Sequence, residues 1–198
     1  IIGNSITGVL SGGKAFELYI HKMNNLVSKS NKPIEWTTSD GFHVVHVKYK
    51  ELKPKQIACV LPGARKETTI NQRLYSDKIN AMKMKSAISP NYIHSLDAEL
   101  LRRVAVRMSE VGIVYADWIH DSFGCHPNDV DYMLGVTKQE FKELVMREPL
   151  NVLDAELNSQ IIESKASTKK LADVEIPNLG GFEMSDLDQV EESDWFFS

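Results

Sequence analysis

Apolar residues at Val9, Leu10, Phe16, Tyr19, Ile20, Met23 and Leu26 recur near a 3.6-residue period and predict a helix over 6–29. Gly12-Gly13 weakens its start, and Asn31-Lys32-Pro33 ends it. Residues 34–38 and 42–49 then read as strands, with Ser39-Asp40-Gly41 as the turn between them. Over 50–85 the core pattern is lost. Charge is mixed with short β-like runs (Ile57–Leu61, Thr68–Ile70), and Pro54 and Pro62-Gly63 interrupt them. This predicts a long projecting β-hairpin, and excursions of that length are functional or disordered. Ser89-Pro90-Asn91 signals a turn, and Ser95 predicts the cap of a helix to about Glu110 with Gly112 beyond its end. Residues 113–119 predict a strand, His120-Asp121-Ser122 a tight break, and Phe123–His126 a returning strand. Pro127 opens a helix to about Arg147, and Pro149 separates it from another near 151–165. From Ser167 the chain is polar and acidic, and it closes on Asp194-Trp195-Phe196-Phe197-Ser198. The pattern predicts an α+β chain with helices packed on one small antiparallel sheet and a projecting β-hairpin.

Composition confirms a globular chain: 198 residues with 42% apolar, 25% charged and 8% aromatic content. It excludes disordered, collagen-like and disulfide-scaffold classes. Cys59 and Cys125 belong to no CxxC pair and read as two reduced thiols. No run approaches 18 apolar residues, so no membrane span is expected. The start at Ile1-Ile2-Gly3 lacks both a signal-peptide pattern and an initiator Met, and suggests a processed product, a fragment or a mid-chain start.

Net charge, only -4, hides a division. Residues 1–110 hold 17 Lys+Arg against 9 Asp+Glu, a net of +8; residues 111–198 hold 6 against 18, a net of -12. The basic excess lies at 48–85, with 10 Lys+Arg against 3 acids. A basic block of this kind suits a polyanionic partner.

Two local patterns bear on chemistry. Gly8-x-x-x-x-Gly13-Lys14 has phosphate-loop spacing, but Ala15 stands where a Ser or Thr must ligate Mg²⁺, and the segment reads as helix; it is a chance match. His120-Asp121, at a strand–turn–strand junction, presents a carboxylate at a sheet edge. Hard oxygen ligands there suit Mg²⁺, and two-metal phosphoryl transfer needs two such carboxylates. Taken alone, the pair also fits a solvated turn.

The surrounding residues change that weighting. Ser89-Pro90-Asn91-Tyr92-Ile93-His94-Ser95-x-Asp97, then helix, strand and Ile119-His120-Asp121-Ser122-Phe123-Gly124, resembles the C-terminal part of the single-subunit RNA polymerases of bacteriophage and mitochondrial type. Thr38-Ser39-Asp40-Gly41-Phe42 resembles that family's Thr-x-Asp-Gly-Phe turn, and Ser193–Ser198 its aromatic C-terminal foot. The resemblance spans essentially the whole chain and implies a partial right-hand polymerase fold. It divides the chain into the end of the fingers and palm (1–47), a specificity-type hairpin (48–85), the palm with motif C (86–148), and a C-terminal helix and foot (149–198).

By that resemblance Asp121 is the second catalytic aspartate and would hold two Mg²⁺ ions together with a carboxylate outside this chain, while His120 orients the turn. His94 would approach the minor groove of the template–product pair. Arg65, Lys66, Glu67 and Asn71 of the hairpin would face promoter bases, with Glu67 standing where an amide is expected. Trp195, Phe196, Phe197 and the Ser198 carboxylate would form the foot beside the catalytic centre. The family's second histidine is replaced by Asp97-Ala98-Glu99. No match exists to the fingers pattern Arg-x-x-x-Lys-x-x-x-x-x-x-Tyr-Gly, and the thumb and promoter-melting domain are absent. The resemblance therefore implies DNA template and promoter, RNA product and NTP as ligands. It also implies a partner chain carrying fingers, thumb and the first catalytic Asp, in a split enzyme of an infected bacterial cell or virion in preference to a mitochondrion. Three alternatives remain open. They are a family-A DNA polymerase palm (which has Glu where Ser122 stands), a helical HD-type phosphohydrolase, and a non-catalytic nucleic-acid-binding module.

Overall fold

The computed structural model describes residues 11–63, 66–120, 122–167, 175–177 and 190. Among these, the chain forms α1 (Ser11–Ser28), β1 (Ile34–Thr37), β2 (His43–His46), β3 (Tyr49–Glu51), β4 (Lys55–Cys59), β5 (Thr68–Gln72), β6 (Tyr75–Ile79), α2 (Ala81–Glu110), β7 (Ala116–Ile119), β8 (Ser122–Cys125), a 3-10 turn (Pro127–Asp129), α3 (Val130–Met146) and α4 (Pro149–Ser167). The strands pair antiparallel as β1–β2, β3–β6, β4–β5 and β7–β8. The architecture is α+β.

Two apolar clusters hold it together. In the first, the predicted stripe of α1 (Phe16, Tyr19, Ile20, Met23, Leu26, Val27) meets Ile34 and Trp36 of β1. Met84, Ile88 and Tyr92 of α2 and Leu153, Leu157 and Ile161 of α4 complete it. The second joins Leu100, Val104 and Met108 of α2 to Met133, Val136 and Leu144 of α3, with Trp118 and Phe123 of the β7–β8 hairpin packed against it. α2, 30 residues and about 45 Å long at 1.5 Å per residue, runs through both, and Leu96 touches both.

That helix corrects the sequence reading. Ser89-Pro90-Asn91 is no turn, because α2 continues through Pro90. Pro90 removes one helical hydrogen bond, but Ile88 and Tyr92 on either side are buried in the first cluster and keep the helix continuous. The N-cap is Asn80, whose side chain accepts from the Lys83 amide at 3.1 Å. Ser95 lies mid-helix instead. Its hydroxyl donates to the Tyr92 carbonyl (2.6 Å) and accepts from the Trp36 indole (3.0 Å). At the other end Gly112, at φ +83°, closes the helix as expected: its amide bonds Ser109 and the Ile113 amide bonds Met108.

The expected strand over 42–49 is divided. Residues 43–46 pair with β1, whereas Tyr49–Glu51 pairs with β6 at the base of a two-ladder excursion that continues as β4–β5. Residues 81–85, assigned to the hairpin from sequence, belong to α2. The free edge of β1 is closed by α4: Gln160 accepts from the Glu35 amide (3.0 Å) and donates to its carbonyl, and Glu156 accepts from the Thr37 amide (3.0 Å). Two side chains one helical turn apart thus stand in for a neighbouring strand.

His46 ties β2 to α2. Its Nε2 donates to the Met84 carbonyl (3.1 Å), which leaves Nδ1 to accept from the Asn91 amide (2.9 Å). Burial lowers its pKa below the ordinary value of 6.5, against the Met84 bond and with help from Lys48. The folded state therefore holds neutral His46. Below about pH 6.5 the unfolded chain takes a proton that the fold refuses, so stability falls with pH, by up to about 1.4 kcal/mol per unit. His46→Gln should flatten that dependence in denaturation curves from pH 7.5 to 5; equal slopes in both proteins refute it.

Candidate active site and nucleic-acid interface

The β7–β8 hairpin is fixed by its aromatic pair. Trp118 lies opposite Phe123, their rings edge to face at 5.4 Å, and both pack on the second cluster. Ile119 pairs directly with Ser122, and His120 opens the tight loop between the two strands. Such loops require a left-handed first residue, and His120 has φ +54°. A side chain costs about 1–2 kcal/mol in that region. His120→Gly should therefore keep the fold at equal or slightly higher stability, whereas His120→Val should cost about 1–2 kcal/mol in chemical denaturation. Equal stability of the two variants would contradict the loop geometry.

His94 of α2 and His120 of the loop, 26 positions apart, line one open cleft of about 640 Å³ together with Asp97, Ala98 and Leu101. Residues 94, 97, 98 and 101 share a helix face through i, i+3, i+4, i+7 spacing. Sequence reasoning found the two histidines but did not assign Asp97, Ala98 and Leu101 to their cleft, because helical spacing shows which residues share a face and not what that face meets. Asp121, Arg65, Trp195, Phe196, Phe197 and Ser198 lie outside the described residues.

Both imidazoles are exposed and can bond base or sugar atoms from the cleft wall. Two imidazoles and a carboxylate are not a Mg²⁺ donor set, since that ion takes hard oxygens. Among the described residues no group of three or more His, Cys, Asp or Glu side chains could hold a metal.

The Thr38–Phe42 turn is tied to the same helix. The Thr38 amide bonds the Phe42 carbonyl (3.0 Å), the Gly41 amide the Thr38 carbonyl (2.8 Å), and Gly41 takes φ +89°. The Thr38 hydroxyl donates to Asp40, and Arg102 of α2 grips the Asp40 carboxylate from Nε and Nη2. The same guanidinium lies 4.7 Å over the Phe42 ring. Burial opposes charge on Asp40, yet Arg102, the Thr38 hydroxyl and the Phe42 amide hold its pKa down to about 2. Buried Glu99 accepts from the Ser39 amide (3.2 Å) and hydroxyl. The resembling motif is thus a rigid bracket anchored next to Leu101.

On the basic excursion, Lys66 and Glu67 are exposed. Asn71 stands directly opposite Gln56, and Ile57 opposite Ile70. Where the two ladders meet, a cleft of about 600 Å³ is lined by Glu51, Leu52, Pro54, Asn71, Arg73 and Leu74. Lys83 bonds Glu51 at 2.7 Å and, with Arg73 behind it, lowers that carboxyl's pKa.

With β7 a strand and His120 in a hairpin loop, the helical HD-type arrangement is excluded. A family model described as DNA-dependent RNA polymerase matches residues 2–180. The chain belongs to that family. Its members are nucleotidyltransferases. DNA-directed RNA polymerase 1A of Nicotiana tabacum is 30% identical over 174 residues, 87% of this chain and 100% of that sequence. The mitochondrial DNA-directed RNA polymerases of Homo sapiens and Mus musculus are 29% and 28% identical over 98% of this chain, which spans 16% of each. Their names place those relatives in mitochondria, the compartment ranked lower from sequence, and lend no support to a bacterial host or virion. No described helix of the polymerase-family chain is long and apolar enough to cross a membrane.

Proposed function

We propose that this chain is the C-terminal palm portion of a single-subunit-type RNA polymerase that extends RNA on a DNA template by nucleotidyl transfer. The observation that carries the reading is the shared cleft of His94 and His120. It brings together the helix and the His-Asp loop that the family motifs single out. In this reading Asp121 holds Mg²⁺ with a second carboxylate from polypeptide outside residues 1–198. Bound there, the two ions would ease attack of the RNA 3′-hydroxyl on the α-phosphate and offset charge on departing pyrophosphate. His120 sets the loop that aims Asp121. His94 donates to acceptors on the minor-groove edge of the nascent pair. The foot, Trp195, Phe196, Phe197 and the Ser198 carboxylate, lies beside that centre, and the basic excursion, Arg65 and Lys66 included, faces the promoter.

Fingers, thumb and the first catalytic Asp come from elsewhere. The sequence reading assigns them to a partner chain; the mitochondrial relatives, of which this chain spans 16%, have length for them in one polypeptide. Intact mass of the native protein with its co-purifying chains distinguishes the two. The organellar names of the relatives favour a mitochondrial setting. The function itself is tested by template-dependent incorporation of labelled ribonucleotides by the native particle, with and without this chain. Incorporation that needs neither template nor this chain refutes it.

A further inference from the structure

Phe42 presents 54% of its surface to solvent, and the turn fixes where that surface stands. Gly41 before it takes φ +89°, its carbonyl accepts from the Thr38 amide at 3.0 Å, and His43 after it pairs with Thr37 in the β1–β2 ladder. The Arg102 guanidinium lies 4.7 Å over one face of the ring, and two of its nitrogens are held by the Asp40 carboxylate. The cation beneath the ring restricts its turning and leaves the opposite face to solvent. Asp40 offsets the Arg102 charge, so the bracket offers a flat π surface and not an anion site. α2 sets that ring beside the cleft. His94, Ala98 and Arg102 follow at i, i+4 and i+8 and stand in one row on the helix. His94 and Ala98 line the cleft, as does Leu101, the chain neighbour of Arg102. Eight residues at 1.5 Å place Arg102 about 12 Å along the helix from His94, about the rise of three to four stacked bases at 3.4 Å each.

We propose that the open face of Phe42 is a stacking platform for a nucleobase of the template or RNA strand at the rim of the His94–His120 cleft. Every base has a π face, so stacking on an aromatic ring asks for no particular sequence, as an enzyme that copies any template requires. A ring already held in place loses little conformational freedom on binding. Phe42 therefore acts on the hold of the particle on the strand and not on the chemical step. This placement rests on the polymerase reading above. Packing of Phe42 against polypeptide outside residues 1–198 would use the bulk of the side chain, whereas stacking uses its flat π face, and leucine separates the two.

The test gives the native polymerase particle, with this chain unsubstituted or carrying Phe42→Leu or Phe42→Trp, template–RNA scaffolds in which 2-aminopurine replaces one base at a time along either strand. At one position, about three to four bases from the nascent pair, fluorescence should be quenched in the unsubstituted and Phe42→Trp particles and released in Phe42→Leu. The strand that carries the signal identifies the source of the base. Scaffold affinity should fall about 5- to 100-fold in Phe42→Leu and stay within about threefold in Phe42→Trp, with kcat within a few-fold in both. Phe42 belongs to neither apolar cluster, so both variants should keep the thermal midpoint. Equal affinity of the unsubstituted and Phe42→Leu particles, or fluorescence that Phe42→Leu leaves unchanged at every position of both strands, overturns the proposal and makes Phe42 a packing surface. A particle that synthesises template-directed RNA yet gives either result sinks only this inference; one that makes no such RNA sinks the polymerase reading.

Discussion

Asp121→Asn should lower RNA synthesis at least about 10³-fold while leaving DNA binding within a few-fold of the unsubstituted protein. The amide preserves the size of the side chain and removes only its charge. A carboxylate that anchors a hard dication loses most of its affinity on that change, and a metal ion contributes several kcal/mol of transition-state charge stabilisation. A 10³-fold loss corresponds to about 4 kcal/mol. Binding should survive because the proposal draws the phosphate contacts from Lys and Arg of the basic excursion, which this substitution leaves in place. Fold is controlled by the thermal midpoint, which should not move: the flanking hairpin is held by the pairing of Ile119 with Ser122 and by the Trp118–Phe123 ring contact. Synthesis retained within tenfold makes Asp121 an ordinary turn residue and removes the chemistry from the proposal. A particle that binds DNA and has no RNA synthesis to lose revives the non-catalytic binding module.

Elements whose specification is local were legible in the sequence. α1 follows its apolar period, and β7–β8 follows from a β-branched and aromatic run, a tight break and a return. α2 misled because Pro90 is a local signal for a break, while burial of Ile88 and Tyr92 against residues distant in sequence overrides it. The division of 42–49 was hidden for a similar reason: Tyr49, at the end of that run, belongs to β3, whose partner β6 lies beyond the intervening ladder. Register was the strongest limit on reading the site. Pro62-Gly63 locates the turn of the excursion, but a slip of one residue exchanges its faces, so the Gln56–Asn71 pair needed coordinates. The Arg102–Asp40 contact, 62 positions apart, has no sequence signal at all. The two histidines were found through motif resemblance, and their meeting at one cleft follows from α2 carrying past His94 before the chain returns as β7.

Glu140→Ala should cost about 3 kcal/mol of stability, more than removal of its whole ion-pair partnership. Glu140 of α3 is 5% exposed at its side chain and Arg103 of α2 12%. Arg103 reaches Glu140 through Nε at 2.8 Å and Glu143 through Nη2 at 3.0 Å, while Arg107 approaches the other Glu140 oxygen at 3.1 Å. Glu143 and Arg107 are half in solvent, and their contributions are small. Truncating Glu140 leaves the Arg103 guanidinium, 12% exposed, with Glu143 as its remaining partner; an uncompensated buried charge costs about 3–5 kcal/mol, and Glu143 recovers part of that. The double variant Arg103→Met/Glu140→Leu removes both charges and fills the volume, so it should unfold at a higher denaturant concentration than Glu140→Ala alone. A double variant no more stable than the single would show that the pair stabilises by attraction and not merely by mutual neutralisation. The consequence reaches the cleft, because the pair clamps α2 to α3 across the cluster on which Trp118 and Phe123 rest. Loosening that cluster frees the hairpin that presents His120, and RNA synthesis by Glu140→Ala should fall even at temperatures where the protein stays folded. The apolar double variant, with the same hairpin on a repacked cluster, should recover it.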